Sequence, residues 1–165
     1  SIDQILYNVP GRTAVDMSVD TTSRLSEISN IIGIKDATGD LSVIKELVAK
    51  CPEDFLLLTG DDATAIDFLL LGGHGGISVT ANVTPRELQK AYLAAIAGNT
   101  ELAKKLNEGL SGLHKNLFIE SNPIPVKWAL HKMGKCDNGI RLPLLELSNE
   151  CKTVLENDLK ELNLI

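Results

Sequence analysis

The chain has 165 residues, 44% of them hydrophobic and 23% charged, a composition that suits a soluble globular protein long enough to bury a core. Its 16 basic and 22 acidic side chains leave a formal charge of −6, with no Lys/Arg cluster to neutralise a run of phosphates, so nucleic acid is not expected as a partner. No apolar run reaches the roughly 18 residues of a membrane span, the opening SIDQILYNVP lacks the basic-then-apolar plan of a signal peptide, and a cytoplasmic location is expected.

Residues 5–9, 31–35, 55–59 and 76–80 are short runs rich in branched and aliphatic side chains, and each leads into polar or Gly-bearing residues. They read as strands buried on both faces. A Pro10-Gly11 turn follows the first. After the second, residues 40–50 carry Val43, Ile44, Leu47 and Val48 at helical spacing; after the third, residues 62–71 carry Ile66, Leu69 and Leu70 before Gly72-Gly73 stop them. This is the βα alternation of a parallel sheet, and four such units fit residues 1–98. The fourth helix is announced by Thr84-Pro85-Arg86-Glu87, which reads as a capping box with Pro at the first helical position, and it ends at Gly98. From Thr100 the strand signal stops. Leu102, Leu106, Leu110, Leu113 and Leu117 recur at helical spacing, and residues 125–133 and 147–162 follow, so residues 99–165 are expected to be a helical appendage of two or three hairpinned helices.

Two architectures accommodate alternating βα units, an open doubly wound sheet and a closed (β/α)8 barrel. A barrel needs about 250 residues, whereas four units are present and the first strand begins within a few residues of Ser1. Either the sheet is small and open, or half a barrel is missing. In both architectures functional groups gather at the C-terminal ends of strands. Those ends are residues 7–12, 34–39, 59–62 and 78–82.

Lys35 is the most informative of the residues there. It closes the strand Ile31-Ile32-Gly33-Ile34, and a lysine at such a place can point into the mouth of a barrel. Apolar neighbours disfavour the charged form of an amine, and the neutral amine is the form that attacks a ketone to give an imine. Asp36, next in an extended chain, points to the opposite side and does not pair with it. Taken alone, the pattern favours a plainer reading, a solvated lysine at a strand end. Tyr7 and Arg12 flank the Pro10-Gly11 turn: a phenol relays protons and a guanidinium offers a fork of donors for a carboxylate, although singly they read as a packed aromatic and a surface arginine.

The remaining candidates carry less. Asp61 and Asp62 are neighbours and so do not face one another across a substrate; a helix N-terminus suits both carboxylates. Gly72-Gly73-His74-Gly75-Gly76 lacks the Gly-Lys-Ser/Thr ending of a phosphate loop and precedes a strand, which assigns it to turn geometry at the opposite end of the sheet. Cys51, Cys136 and Cys151 are scattered and read as reduced thiols; His74, His114 and His131 show no ligand spacing and read as surface or satisfied core histidines. No metal and no cofactor are expected.

Taken together, YNVPGRT (7–13), IIGIKDATGDL (31–41), LLTGDDA (57–63), GGHGGISVTANV (72–83) and NPIPVKWAL (122–130) resemble the dihydrodipicolinate synthase family. The resemblance runs the length of the chain and implies the second half, strands five to eight, of a (β/α)8 barrel, followed by a C-terminal helical domain. It implies Lys35 as the Schiff-base lysine for pyruvate, Tyr7 as the proton-relay phenol, and Arg12 as the holder of the carboxylate of L-aspartate 4-semialdehyde. It assigns Ile77, through its backbone carbonyl, and Gly60, by leaving room, to the pocket lining. The implied setting is lysine and diaminopimelate biosynthesis in a homo-oligomer, a dimer or tetramer. A partner is implied too, the first half of the barrel, with its Gly-Thr-Thr segment and a tyrosine contributed across the dimer interface. Without that half, two strand edges stand unpaired and the isolated chain is expected to be unstable or inactive. Two other readings stand beside this one: another pyruvate-dependent aldolase such as N-acetylneuraminate lyase or a keto-deoxy sugar-acid aldolase, against which Arg12 speaks, and a non-catalytic half-barrel.

Overall fold

Residues 2–165 are described by a computed structural model. In chain order the elements are β1 (Gln4–Asn8), α1 (Pro10–Thr13), α2 (Val19–Leu25), β2 (Ile31–Asp36), α3 (Leu41–Lys50), β3 (Leu56–Thr59), α4 (Ala65–Leu70) and β4 (Gly75–Gly76). A single 3-10 turn (Thr80–Asn82) follows, and then α5 (Pro85–Ile96), α6 (Thr100–Glu108), α7 (Ser111–Asn116), α8 (Ile124–Lys132) and α9 (Asn149–Glu161). The four strands form one parallel sheet in the order β1-β2-β3-β4, without reversal of winding.

The strands alternate. Leu6, Ile34 and Leu57 share one row of the register and face the helices, where Ile34 and Leu57 are buried with Ile44 and Leu47 of α3, Phe55 and Phe68. The other face is open: Ile5, Tyr7 and Leu56 are 44%, 49% and 37% exposed. Burial on both faces was the sequence expectation, and it fails because helices cover only one side. The apolar character of alternate positions on the other side is not matched by any element of the described residues.

The fourth strand also differs from expectation. It is two residues long and ends at Gly76 instead of reaching Thr80. The reason is Asp62, a buried carboxylate whose Oδ2 accepts the backbone N–H groups of Val79 (3.0 Å) and Thr80 (3.1 Å). Amides committed to a carboxylate are withdrawn from a strand ladder, and the chain turns into the 3-10 helix. Asp62 therefore serves this corner, while Asp61 alone orders the turn that enters the next helix, its Oδ2 accepting from the N–H (3.0 Å) and hydroxyl (2.7 Å) of Thr64, the residue before Ala65. The expected capping box at α5 does not form. Pro85 opens the helix, but buried Thr84 turns its hydroxyl back toward the Thr80 carbonyl at 3.5 Å.

Beyond Gly98, whose φ of +75° suits a residue without Cβ, four helices replace the expected two or three. The leucine periodicity is interrupted at Gly109: Leu110, Leu113 and Leu117 are buried, but Leu102 is 44% exposed. Ala103 of α6 packs with Ile66, Leu69, Ala91, Ala94 and Ala95 of α4 and α5, where small side chains let the helices approach closely. A separate core gathers Leu113, Val126, Ala129, Leu155 and Leu159 from α7, α8 and α9, with Leu117 at the end of α7 and Val83 beside them.

His114 links this second core to the 3-10 turn that follows the sheet. It is buried, its Nδ1 lies 2.9 Å from the Thr80 hydroxyl and its Nε2 3.0 Å from Asn107 Oδ1. With a carbonyl oxygen at Nε2, that nitrogen carries the proton and Nδ1 accepts from Thr80. Burial pushes the imidazole pKa below its ordinary 6.5, against the attraction of Asp62 and Asp61. The unfolded chain then binds more protons than the folded one as pH falls through 6.5 and on toward the lowered folded value, so stability is lost in that direction. Urea denaturation at about pH 7.5 and about pH 5.5 is expected to give a lower midpoint at the acid end, and His114→Gln is expected to flatten that difference. An unchanged acid loss in His114→Gln would assign it to other groups.

Candidate active site

The register of the sheet sets the site. Tyr7 is the Cα partner of Lys35, and Lys35 of Leu58, so the first two side chains leave the same face at the same level of adjacent strands. The Lys35 Nζ lies 4.2 Å from the centroid of the Tyr7 ring, a cation–π arrangement. Among the described residues no carboxylate lies within ion-pair distance of Lys35. Asp36 points to the helix side, as the pleat requires, and is 4% exposed.

Gly60 follows β3 at the same end of the sheet. A Cβ built on it would stand 2.6 Å from Lys35 Cε and 2.9 Å from Ala37 Cβ, so the lysine stem occupies the space that glycine leaves. Ile77 extends the ladder one residue beyond β4, its N–H donating to the Thr59 carbonyl at 2.9 Å, and its side chain is 51% exposed. Arg12 lies in the single turn of α1, exposed, with Nη2 at 3.5 Å from the Asn122 carbonyl, at the outer limit of hydrogen-bonding distance.

Tyr7, Arg12, Lys35, Gly60 and Ile77 all line one cavity of about 440 Å³ at the C-terminal ends of the strands. The sequence reading missed part of its lining. Phe118, Ser121 and Asn122, from the connection between α7 and α8, also line the cavity. The NPIPVKWAL segment begins at Asn122 and was the available signal, but nothing in a helical period says which loop lines a cavity. Chemically the cavity combines a primary amine, a phenol whose ring that amine overlies, and a guanidinium not engaged by any carboxylate of the described residues. Among the described residues no group of three or more His, Cys, Asp or Glu side chains is disposed to hold a metal ion, and no helix is long and apolar enough to cross a membrane.

Residues 1–162 match the profile of the dihydrodipicolinate synthetase family. The chain is 62% identical over 164 residues to the 4-hydroxy-tetrahydrodipicolinate synthase of Ruthia magnifica subsp. Calyptogena magnifica, covering 99% of this chain and 55% of that protein. To the enzyme of the same name from Pseudomonas aeruginosa it is 55% identical over 161 residues, 98% of this chain and 55% of that one. The crystal structure of the chloride-inhibited dihydrodipicolinate synthase from Acinetobacter baumannii complexed with pyruvate superposes with a TM-score of 0.96 at 52% identity, over 99% of this chain and 56% of that chain. The chain thus spans about half the length of the relatives it matches.

Replacing Gly60 by Ala is expected to push the Lys35 ammonium off the Tyr7 ring, because the new Cβ would stand 2.6 Å from the flexible lysine stem, and to shift the backbone at Ala37, whose Cβ at 2.9 Å cannot rotate away. Proton NMR checks this through the Lys35 Hε resonances, which the aromatic ring shields in the native chain. Retention of that shielding in Gly60→Ala would contradict the packing described.

Proposed function

Since the chain belongs to the dihydrodipicolinate synthetase family, we propose that it carries the imine-forming half of a 4-hydroxy-tetrahydrodipicolinate synthase, a lyase that condenses pyruvate with L-aspartate 4-semialdehyde. In this reading the four strands are strands five to eight of a (β/α)8 barrel, residues 1–98 form that half and residues 99–165 the helical domain. The sequential parallel order supports it, since a doubly wound sheet reverses direction at its switch point. So do the exposed Ile5 and Leu56 on the face that would look into a barrel. The other half supplies the remaining strands and further substrate contacts, and the assembly works as a cytoplasmic homo-oligomer.

The chemistry follows from the side chains. The neutral Lys35 amine adds to the ketone carbon of pyruvate, and loss of water gives the imine. A proton leaves the adjacent methyl carbon to form an enamine, whose carbon attacks the aldehyde of the second substrate. The amino group of that substrate then displaces Lys35 from the imine carbon, closing the heterocycle and returning the free amine. Each stage moves a proton, and Tyr7 is the group beside the nitrogen that carries it. Arg12 receives the carboxylate of the semialdehyde. Gly60 leaves room for the lysine stem, and Ile77 contributes its backbone carbonyl to the wall. The observation that carries this reading is the Lys35 nitrogen 4.2 Å from the Tyr7 ring centroid, in a cavity shared with Arg12.

The test uses the chain assembled with the complementary segment of the Ruthia magnifica synthase. Borohydride reduction in the presence of pyruvate is expected to add mass to the peptide containing Lys35. Lys35→Arg abolishes the adduct, because a guanidinium stays protonated. Tyr7→Phe slows turnover by about 10²–10⁴ while still allowing trapping, and Arg12→Ala raises the KM for the semialdehyde. Labelling at Lys45, Lys50 or Lys127, or undiminished trapping in Lys35→Arg, would overturn the assignment.

A further inference from the structure

The residues that follow Tyr7 and Lys35 point the other way, into the layer between sheet and helices. Asn8 and Asp36 are each 4% exposed and are Cα partners in the register, one step beyond Tyr7 and Lys35. Asn8 Nδ2 donates to Asp36 Oδ2 at 3.0 Å and to Asp16 Oδ1 at 2.8 Å, which uses both of its protons. Its Oδ1 accepts the Met17 N–H at 3.1 Å. The second oxygen of Asp36 accepts the Thr38 N–H at 3.0 Å and hydroxyl at 2.5 Å. The backbones of the same two residues continue the tie: the Ala37 N–H donates to the Asn8 carbonyl at 2.9 Å and the Gly60 N–H to the Asp36 carbonyl at 2.6 Å. One residue pair thereby joins the ends of three strands directly beneath the cavity.

Packing alone does not call for a carboxylate in this layer, since an apolar pair would fill it without desolvating a charge. What the polar pair supplies is direction, because each acceptor has a donor in only one register and rotamer. We propose that Asn8 and Asp36 are positioning residues that hold the Tyr7 phenol over the Lys35 amine, an inference that rests on Lys35 being the imine-forming residue. They touch no substrate. They act through Tyr7, by keeping the ends of β1 and β2 in step.

The same assembly with the Ruthia magnifica segment tests this through the single-turnover rate of imine formation, read by borohydride quenching with pyruvate. Asn8→Asp sets acceptor against acceptor and is expected to slow imine formation about tenfold or more. The exchange Asn8→Asp with Asp36→Asn restores a donor opposite an acceptor, keeps the acceptors for Met17 and Thr38, and leaves exposed Asp16 to turn to solvent. It is expected to recover the rate to within about twofold. In a Tyr7→Phe background, Asn8→Asp is expected to cost no further rate, since the phenol it orients is gone. Thr38→Val, which removes one hydroxyl donor without adding a charge, gives a smaller loss in the same direction and serves should Asn8→Asp not fold. A folded exchange variant as slow as the single one, an unaltered rate in Thr38→Val, or an equal loss in the Tyr7→Phe background would overturn the proposal while leaving Lys35 as the labelled residue. Absence of label at Lys35 in the unsubstituted assembly would overturn the imine assignment as well.

Discussion

The pleat of a parallel sheet sends successive side chains to opposite faces, and a parallel register sets residues of neighbouring strands at one level. These two constraints place Tyr7 beside Lys35 on the open face, with Asn8 and Asp36 beneath them on the covered one. A slip of one residue in β2 would send Lys35 into the helix layer and bring the Asp36 carboxylate up beside the phenol. The site therefore depends on register more than on any single contact. The covered face enforces it: Ile34 and Leu57 are 2% and 3% exposed, and a slip would expose them.

The covered face also handles its charges without cations. Asp36 is held by an amide, a backbone N–H and a hydroxyl, and Asp62 by two backbone N–H groups at its Oδ2, while its buried Oδ1 has no hydrogen-bond partner among the described residues. Hydrogen bonds to charged groups contribute about 1.5–3 kcal/mol each, against a larger loss when a buried charge is left without them. Both carboxylates stand next to the cavity strands, and both shape backbone that lines the cavity. Asp36 orders the turn leading to Ala37 and Thr38, and Asp62 ends the fourth strand just beyond Ile77. Through Thr80 and His114 the second of these reaches α7, the helix that leads into the cavity wall at Phe118. The helical region is thus tied to the strand ends by polar contacts as well as by its own leucine core.

Much of this was legible in the chain. Runs such as Ile31-Ile32-Gly33-Ile34 announced the strands, Gly98 the end of α5, and the motif set around Tyr7, Lys35 and Gly60 the end of the sheet where they meet. What escaped was tertiary in origin. Residues 76–80 look like a strand because Ile77 and Val79 alternate, yet Asp62, some seventeen residues away, takes the amides that a strand would need. The apolar run of each strand suggested burial on both faces, but periodicity counts apolar residues and is silent about what covers them. Thr84 and Glu87 have the spacing of a capping box, while the local pull of the Thr80 carbonyl decides the threonine rotamer. The lining contributed by Phe118, Ser121 and Asn122 has no local signature, because it comes from a loop about forty residues beyond the last strand in the chain.

The central claim is that one amine and one phenol, set side by side by register, form the reactive pair. Its most direct test is a crystal structure of the chain, assembled with the complementary segment of a relative, after soaking with pyruvate and without reductant. The account predicts continuous density joining Lys35 Nζ to the former ketone carbon, with the Tyr7 hydroxyl within hydrogen-bonding distance of the adduct. Pyruvate bound non-covalently with Lys35 turned away, or an adduct on a different lysine, would contradict it.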